Sequence, residues 1–99
     1  MLDIHQSETF AAWLCKLKDR QAVARINARL RRLADSGHFG DAKPLRDGVS
    51  EMRIDFGPGY RLYFTRRGAV LVVLLAGGDK STQAADIERA IGIAKEWKD

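Results

Sequence analysis

Ninety-nine residues, 45% apolar and 30% charged, make one domain spanning residues 1–99 with a single modest core. The net charge of +4 is unevenly placed: residues 16–67 hold thirteen Lys or Arg against six Asp or Glu, while the remainder is acidic by three. A basic middle points to an anionic partner, nucleic acid before membrane, or in the plainer reading to solvated helix faces. No apolar run reaches the roughly 20 residues of a membrane span, and the first residues lack the basic start and apolar block of a secretory signal. Cys15 is alone, which excludes a disulfide framework and a zinc cluster and suits a cytoplasmic protein.

In chain order, Leu2 to His5 is short and fits an edge strand. Ser7 predicts a helix N-cap, with Glu8 complementing the dipole in the first turn. Phe10, Trp13, Leu14 and Leu17 fall on one face of that helix. Asp19 predicts the cap of a second helix with an apolar stripe of Val23, Ile26, Leu30 and Leu33. A separate stripe holds Arg25, Arg29 and Arg32, and Gly37 supplies a left-handed stop. The two helices are expected to pair antiparallel across Lys18-Asp19. Gly37 to Gly48 has no period and reads as a loop.

Two consecutive hairpins are expected over Glu51 to Lys80. Met52, Ile54 and Phe56 alternate with Glu51, Arg53 and Asp55. After a Gly57-Pro58-Gly59 turn, Tyr60, Leu62 and Phe64 alternate with Arg61, Tyr63 and Thr65. A three-residue turn pairs Phe56 with Tyr60, Ile54 with Leu62 and Met52 with Phe64. It sets Asp55 beside Arg61, Arg53 beside Tyr63 and Glu51 beside Thr65 on a polar face. Ala69 to Ala76 is apolar on both faces, as in a central strand covered on both sides or one lining a narrow cleft. Gly77-Gly78 breaks that strand. Ser81 or Thr82 starts a C-terminal helix with Ile87, Ala90, Ile91, Ala94 and Trp97 on its apolar face. The order β-α-α-β-β-β-α predicts an α+β fold, a mainly antiparallel sheet with an N-terminal helix pair and a C-terminal helix on one face.

Three fragments in order, Gly40 to Gly48 (GDAKPLRDG), Glu51 to Phe64 (EMRIDFGPGYRLYF) and Leu75 to Ile87 (LAGGDKSTQAADI), carry a family resemblance. The chain resembles the RelE/ParE superfamily of toxins from type II toxin–antitoxin modules, most of all the HigB-like branch of addiction-module killer proteins. The resemblance covers nearly the whole chain and implies a RelE-like fold and an endoribonuclease that cleaves mRNA at the ribosome and inhibits translation. It also implies a cognate antitoxin with a helix-turn-helix domain, through which alone operator DNA is bound. Cofactors and metals are not expected. ParE-like relatives poison DNA gyrase without cleaving RNA, and a degenerate toxin would keep only antitoxin binding; both remain alternatives.

Cutting RNA with its own 2′-hydroxyl requires alignment of the strand, stabilisation of phosphate charge and movement of two protons. Arginine suits the phosphate because its planar fork holds two oxygens and stays cationic. Arg53, Arg61 and Lys80 are the expected catalytic residues. Lys43, Arg46, Tyr63 and Gln83 are the expected RNA-binding residues. Plainer roles stand beside each: Arg61 paired with Asp55, Arg53 with Glu51, Lys80 with Asp79, Gln83 in the first-turn cap, Lys43 and Arg46 as exposed loop cations. The arginine stripe of the second helix tracks phosphates, receives an acidic antitoxin segment, or is an ordinary exposed face. His5 and His38 have no carboxylate frame, and Ile87 to Asp99 has no histidine of the kind some superfamily nucleases use, which favours an Arg/Lys mechanism.

Overall fold

Ser7 ends a strand and begins a helix in one step. Its side-chain oxygen accepts a 3.0 Å hydrogen bond from the Phe10 amide, and its hydroxyl donates to the Leu75 carbonyl at 2.6 Å. The computed structural model describes residues 1–98. The elements are β1 (Asp3–Gln6), α1 (Glu8–Lys16), α2 (Arg20–Ser36), β2 (Ala42–Arg46), β3 (Val49–Ile54), β4 (Tyr60–Arg67) and β5 (Leu71–Gly78). A short 3-10 turn at Lys80–Thr82 then leads into α3 (Gln83–Glu96). The five strands form one sheet in the order β1-β5-β4-β3-β2, with β1 parallel to β5 and the other pairs antiparallel. This is the expected α+β fold, enlarged by one strand. β2 arises from the segment expected as a loop, because Ala42 to Arg46 completes the ladder along β3 despite its weak period.

The local signals at helix ends act as expected. Asp19 accepts from the amides of Gln21 and Ala22, and Gly37 takes φ +71° at the end of α2. Thr82 holds the N-cap position of α3, as expected, but makes no side-chain cap bond; Asp79 opens the 3-10 turn before it, accepting from the Ser81 amide. The Thr82 hydroxyl instead donates to Asp86 at 2.6 Å.

The sheet is covered on both faces, which corrects the expectation of helices on one face. Phe10, Ile26 and Leu33 from α1 and α2 pack on Met52, Ile54, Leu62, Phe64, Val72 and Leu74. On the other side Ala90, Ile91 and Ala94 from α3 pack on Val49, Tyr63, Val73, Leu75 and Ala76. The cause lies in β5, which presents apolar side chains to both faces and so needs two covers. Gly77 and Gly78 do not break β5. They continue it, and glycine is required there because the Trp13 ring and the Asp86 carboxylate occupy the space where side chains would stand.

The hairpin register also differs from expectation. Ile54 pairs with Tyr60, Met52 with Leu62, Glu51 with Tyr63 and Arg53 with Arg61. Phe56 is drawn out of the ladder: its carbonyl accepts from the Gly59 amide at 3.1 Å, closing a turn in which Gly57 and Gly59 have φ of +57° and +80°. The loop is therefore longer by two residues than a three-residue turn. A shift of two leaves every side chain on its expected face but changes its partner.

Ser7→Ala removes both the helix cap and the tie to Leu75. It should lower stability by about 1–2 kcal/mol, read as a lower urea midpoint with unchanged slope.

Candidate active site

The corrected register builds the site. Arg53 on β3 stands opposite Arg61 on β4, and Arg61 in turn stands opposite Gly78 on β5. Two residues beyond Gly78 the chain reaches Lys80, whose hydrocarbon stem lies across Gly59; a Cβ there would come within 3.2 Å of Lys80 Cε. Arg53, Arg61 and Lys80 thus line one cleft of about 360 Å³, together with Asp41, Asp55 and the glycines of the turn. Like charges directly opposite each other on neighbouring strands repel, so this row is held by its surroundings.

Arg53 has partners for its charge. Its guanidinium meets the Asp41 carboxylate at 3.2 Å, and Glu51, only 2% exposed, lies 3.8 Å from Nε. The second approach is an ion pair without hydrogen-bond geometry, so Arg53 Nε is buried without a hydrogen-bond partner. Arg61 Nε is also buried and unpartnered, and among the described residues no carboxylate forms an ion pair with Arg61. An unneutralised guanidinium beside a second one is suited to an anion with several oxygens.

Of the plainer roles, Arg61 does not face Asp55, which lies in the turn. Asp79 is occupied by Ser81, accepting from its amide at 2.8 Å and its hydroxyl at 2.5 Å. Those bonds hold the Asp79 carboxyl below its ordinary range and leave Lys80 free to enter the cleft. Arg53 does approach Glu51, as the plainer reading had it.

The expected RNA-binding residues separate. Tyr63 is fully buried beneath α3, so its ring is closed to a base; this corrects the expected stacking role. Its hydroxyl has no hydrogen-bond partner, although Gln83 stands nearby at the start of α3. Burial pushes that hydroxyl up to about 12, with Asp86 and Glu51 adding to the rise and Arg61 and Gln83 opposing it. Arg46 is bonded to Glu88 at 2.7 Å and to Asp47 at 3.4 Å, away from the cleft. Lys43 lies along β2 opposite Glu51 and lines a different hollow with Phe39 and Arg66.

Residues 12–98 match the family of phage-derived Gp49-like proteins (DUF891). The chain belongs to this family. It is also 52% identical over 95 residues to an uncharacterized protein of Haemophilus influenzae (strain ATCC 51907 / DSM 11121 / KW20 / Rd). That match covers 96% of this chain and 95% of the relative. The family match includes the cleft whole, from Asp41 through Lys80.

In this Gp49-like chain part of the cleft's support was hidden in the sequence. Arg29, in the middle of the α2 stripe, turns inward and donates to the carbonyls of Arg53 at 2.8 Å and Phe39 at 2.9 Å. Burial lowers its pKa below the usual arginine value, with Asp41 opposing the shift. Gly40 makes room, since a Cβ there would lie 2.7 Å from the guanidinium. Arg29 therefore fixes Arg53 and the loop carrying Asp41 to the helix. Asp41 was equally hidden, since its approach to Arg53 crosses from the loop in a way no spacing reveals, whereas the approach of Glu51 was the plainer reading of Arg53.

Tyr63 gives a pH-dependent prediction. Its folded-state value lies above the ordinary 10, so the folded chain keeps the phenolic proton longer than the unfolded chain does. Stability is full below pH 10 and falls as pH rises between about 10 and 12. Tyr60 shifts in the same direction by burial, so comparison with Tyr63→Phe isolates Tyr63. The Phe variant should lose less stability between about pH 8 and about pH 11. At about pH 8 it should lie within about 1 kcal/mol of the wild type, because the hydroxyl it removes makes no hydrogen bond of normal geometry. Urea unfolding at the two pH values measures both.

Proposed function

We propose that this chain is the toxin of a type II toxin–antitoxin pair and acts as an endoribonuclease on mRNA engaged with the ribosome. The observation that carries the reading is the convergence of Arg53, Arg61 and Lys80 on one cleft, with Arg61 unneutralised. Membership of the Gp49-like family and the likeness of its motifs to addiction-module killers supply the toxin class, and the ribosome enters through that likeness.

The chemistry follows from the cleft. The 2′-oxygen attacks the adjacent phosphorus, the bond from phosphorus to the 5′-oxygen breaks, and a 2′,3′-cyclic phosphate and a 5′-hydroxyl result. Arg53 and Arg61 hold the non-bridging oxygens as charge develops on them. Lys80, cationic and at the cleft wall, gives a proton to the departing 5′-oxygen. Asp55, without an ion pair among the described residues, takes the proton of the 2′-hydroxyl. A cognate antitoxin with a helix-turn-helix domain holds the toxin inactive, setting acidic residues against the three cations or covering the outer face of α1 and α2. Among the described residues no helix is long and apolar enough to cross a membrane, in keeping with action on cytoplasmic transcripts.

Induced expression of the wild-type chain should arrest growth and yield transcripts cut within coding regions. Arg61→Ala should lower cleavage by at least about 100-fold while unfolding at or above the wild-type midpoint, since it removes the like-charge contact with Arg53. Growth arrest with intact transcripts and inhibited gyrase supercoiling would overturn the ribonuclease reading.

A further inference from the structure

The cationic stripe of α2 divides between two tasks. Arg29 is committed to backbone carbonyls, whereas Arg25 and Arg32 remain exposed. These two, with Arg29, Ala28, Ile54 and Asp55, line a second hollow of about 390 Å³. Ile54 and Asp55 also belong to the wall of the Arg53–Arg61–Lys80 cleft, so the two hollows meet at the entrance to the β3–β4 turn. Beside that junction the Arg25 guanidinium lies over the Phe56 ring, 4.4 Å from its centre. The joined surface carries six cations and two carboxylates, an excess of four that equals the net charge of the entire chain.

Building on the ribonuclease reading, we propose that the second hollow binds the single-stranded RNA flanking the phosphodiester that is cut. Arg25 and Arg32 each hold a backbone phosphate, and the stacked pair of Arg25 and Phe56 supports an adjoining base. A strand leaving the cleft past Asp55 meets this hollow as its next surface. Seven residues of helix separate Arg25 from Arg32 by about 10 Å along the axis, so the two cations serve different phosphates. The rival occupant is an acidic protein segment. Such a segment binds through apolar or aromatic anchors in pockets, whereas the hollow is lined by only Ala28 and the nearly covered Ile54 as hydrocarbon, and the Phe56 ring beside it is already faced by the Arg25 guanidinium.

The test is anisotropy titration of a single-stranded RNA made uncleavable by 2′-deoxy substitution, at a series of salt concentrations. Arg25→Gln combined with Arg32→Gln should weaken binding and flatten the slope of log Kd against log salt by about 1.4, the value for two lost phosphate contacts on a single strand. Phe56→Leu should weaken binding with the slope unchanged, since it removes stacking and no charge. Circular dichroism and the unfolding midpoint establish that each variant is folded. A wild-type slope in the double variant, with RNA still bound, overturns this proposal and leaves the ribonuclease reading standing. Failure of the wild-type chain to bind the RNA at all also overturns this proposal, while the ribonuclease reading, which concerns mRNA on the ribosome, stands or falls on transcript cleavage. Loss of poly-glutamate binding in the double variant, with its RNA slope intact, assigns the hollow to an acidic protein and also overturns the proposal.

Discussion

β5 carries hydrocarbon on both faces, and the rest of the architecture answers that constraint. A strand with Val72 and Leu74 on one side and Val73 and Leu75 on the other is stable only between two layers. The α1–α2 pair covers one side and α3 the other. The two glycines that end the strand let the covers approach closely, Trp13 over Gly77 and Asp86 over Gly78. Arg67 reinforces the second cover by donating to the carbonyls of Ala94 and Trp97 at the end of α3, where a cation also opposes the negative end of the helix dipole.

Against this frame, the β3–β4 turn decides the chemistry of the site. Because Phe56 closes the turn instead of extending the ladder, two arginines that would otherwise be diagonal neighbours stand directly opposite. Their repulsion is a cost in the free protein. Asp41 and Glu51 offset it for Arg53, and among the described residues no carboxylate pairs with Arg61. The cleft therefore holds an electrostatic tension of the kind that a bound anion would relieve.

Arg29 connects the two scales. One guanidinium bonds to the carbonyl of Arg53 and to that of Phe39, so the helix, the strand carrying Arg53 and the loop bearing Asp41 are tied together. The same helix presents Arg25 and Arg32 outward, which links the rigidity of the cleft to the shape of the basic surface around it. A single stripe of arginines thus serves both as internal support and as exposed charge, and only burial distinguishes its members.

Local signals were legible in the sequence because their causes are local. Ser7, Asp19 and Gly37 mark helix ends through hydrogen bonds and φ values set within a few residues. The alternation along β3 and β4 sorted side chains onto two faces correctly, since period 2 survives a slip of two. The apolar run in β5 announced a central strand, and Arg53, Arg61 and Lys80 stood out as cations beside tight turns. Tertiary structure decided what depends on partners distant in the chain: the strand pairing of Ala42 to Arg46, the burial of Tyr63 under α3, and the capture of Arg46 by Glu88. It also decided the inward turn of Arg29 and the pairing of Arg53 with Arg61. A sequence fixes which side a residue faces through the geometry of its own backbone, whereas the neighbour it meets there is set by long-range packing and by how a turn closes.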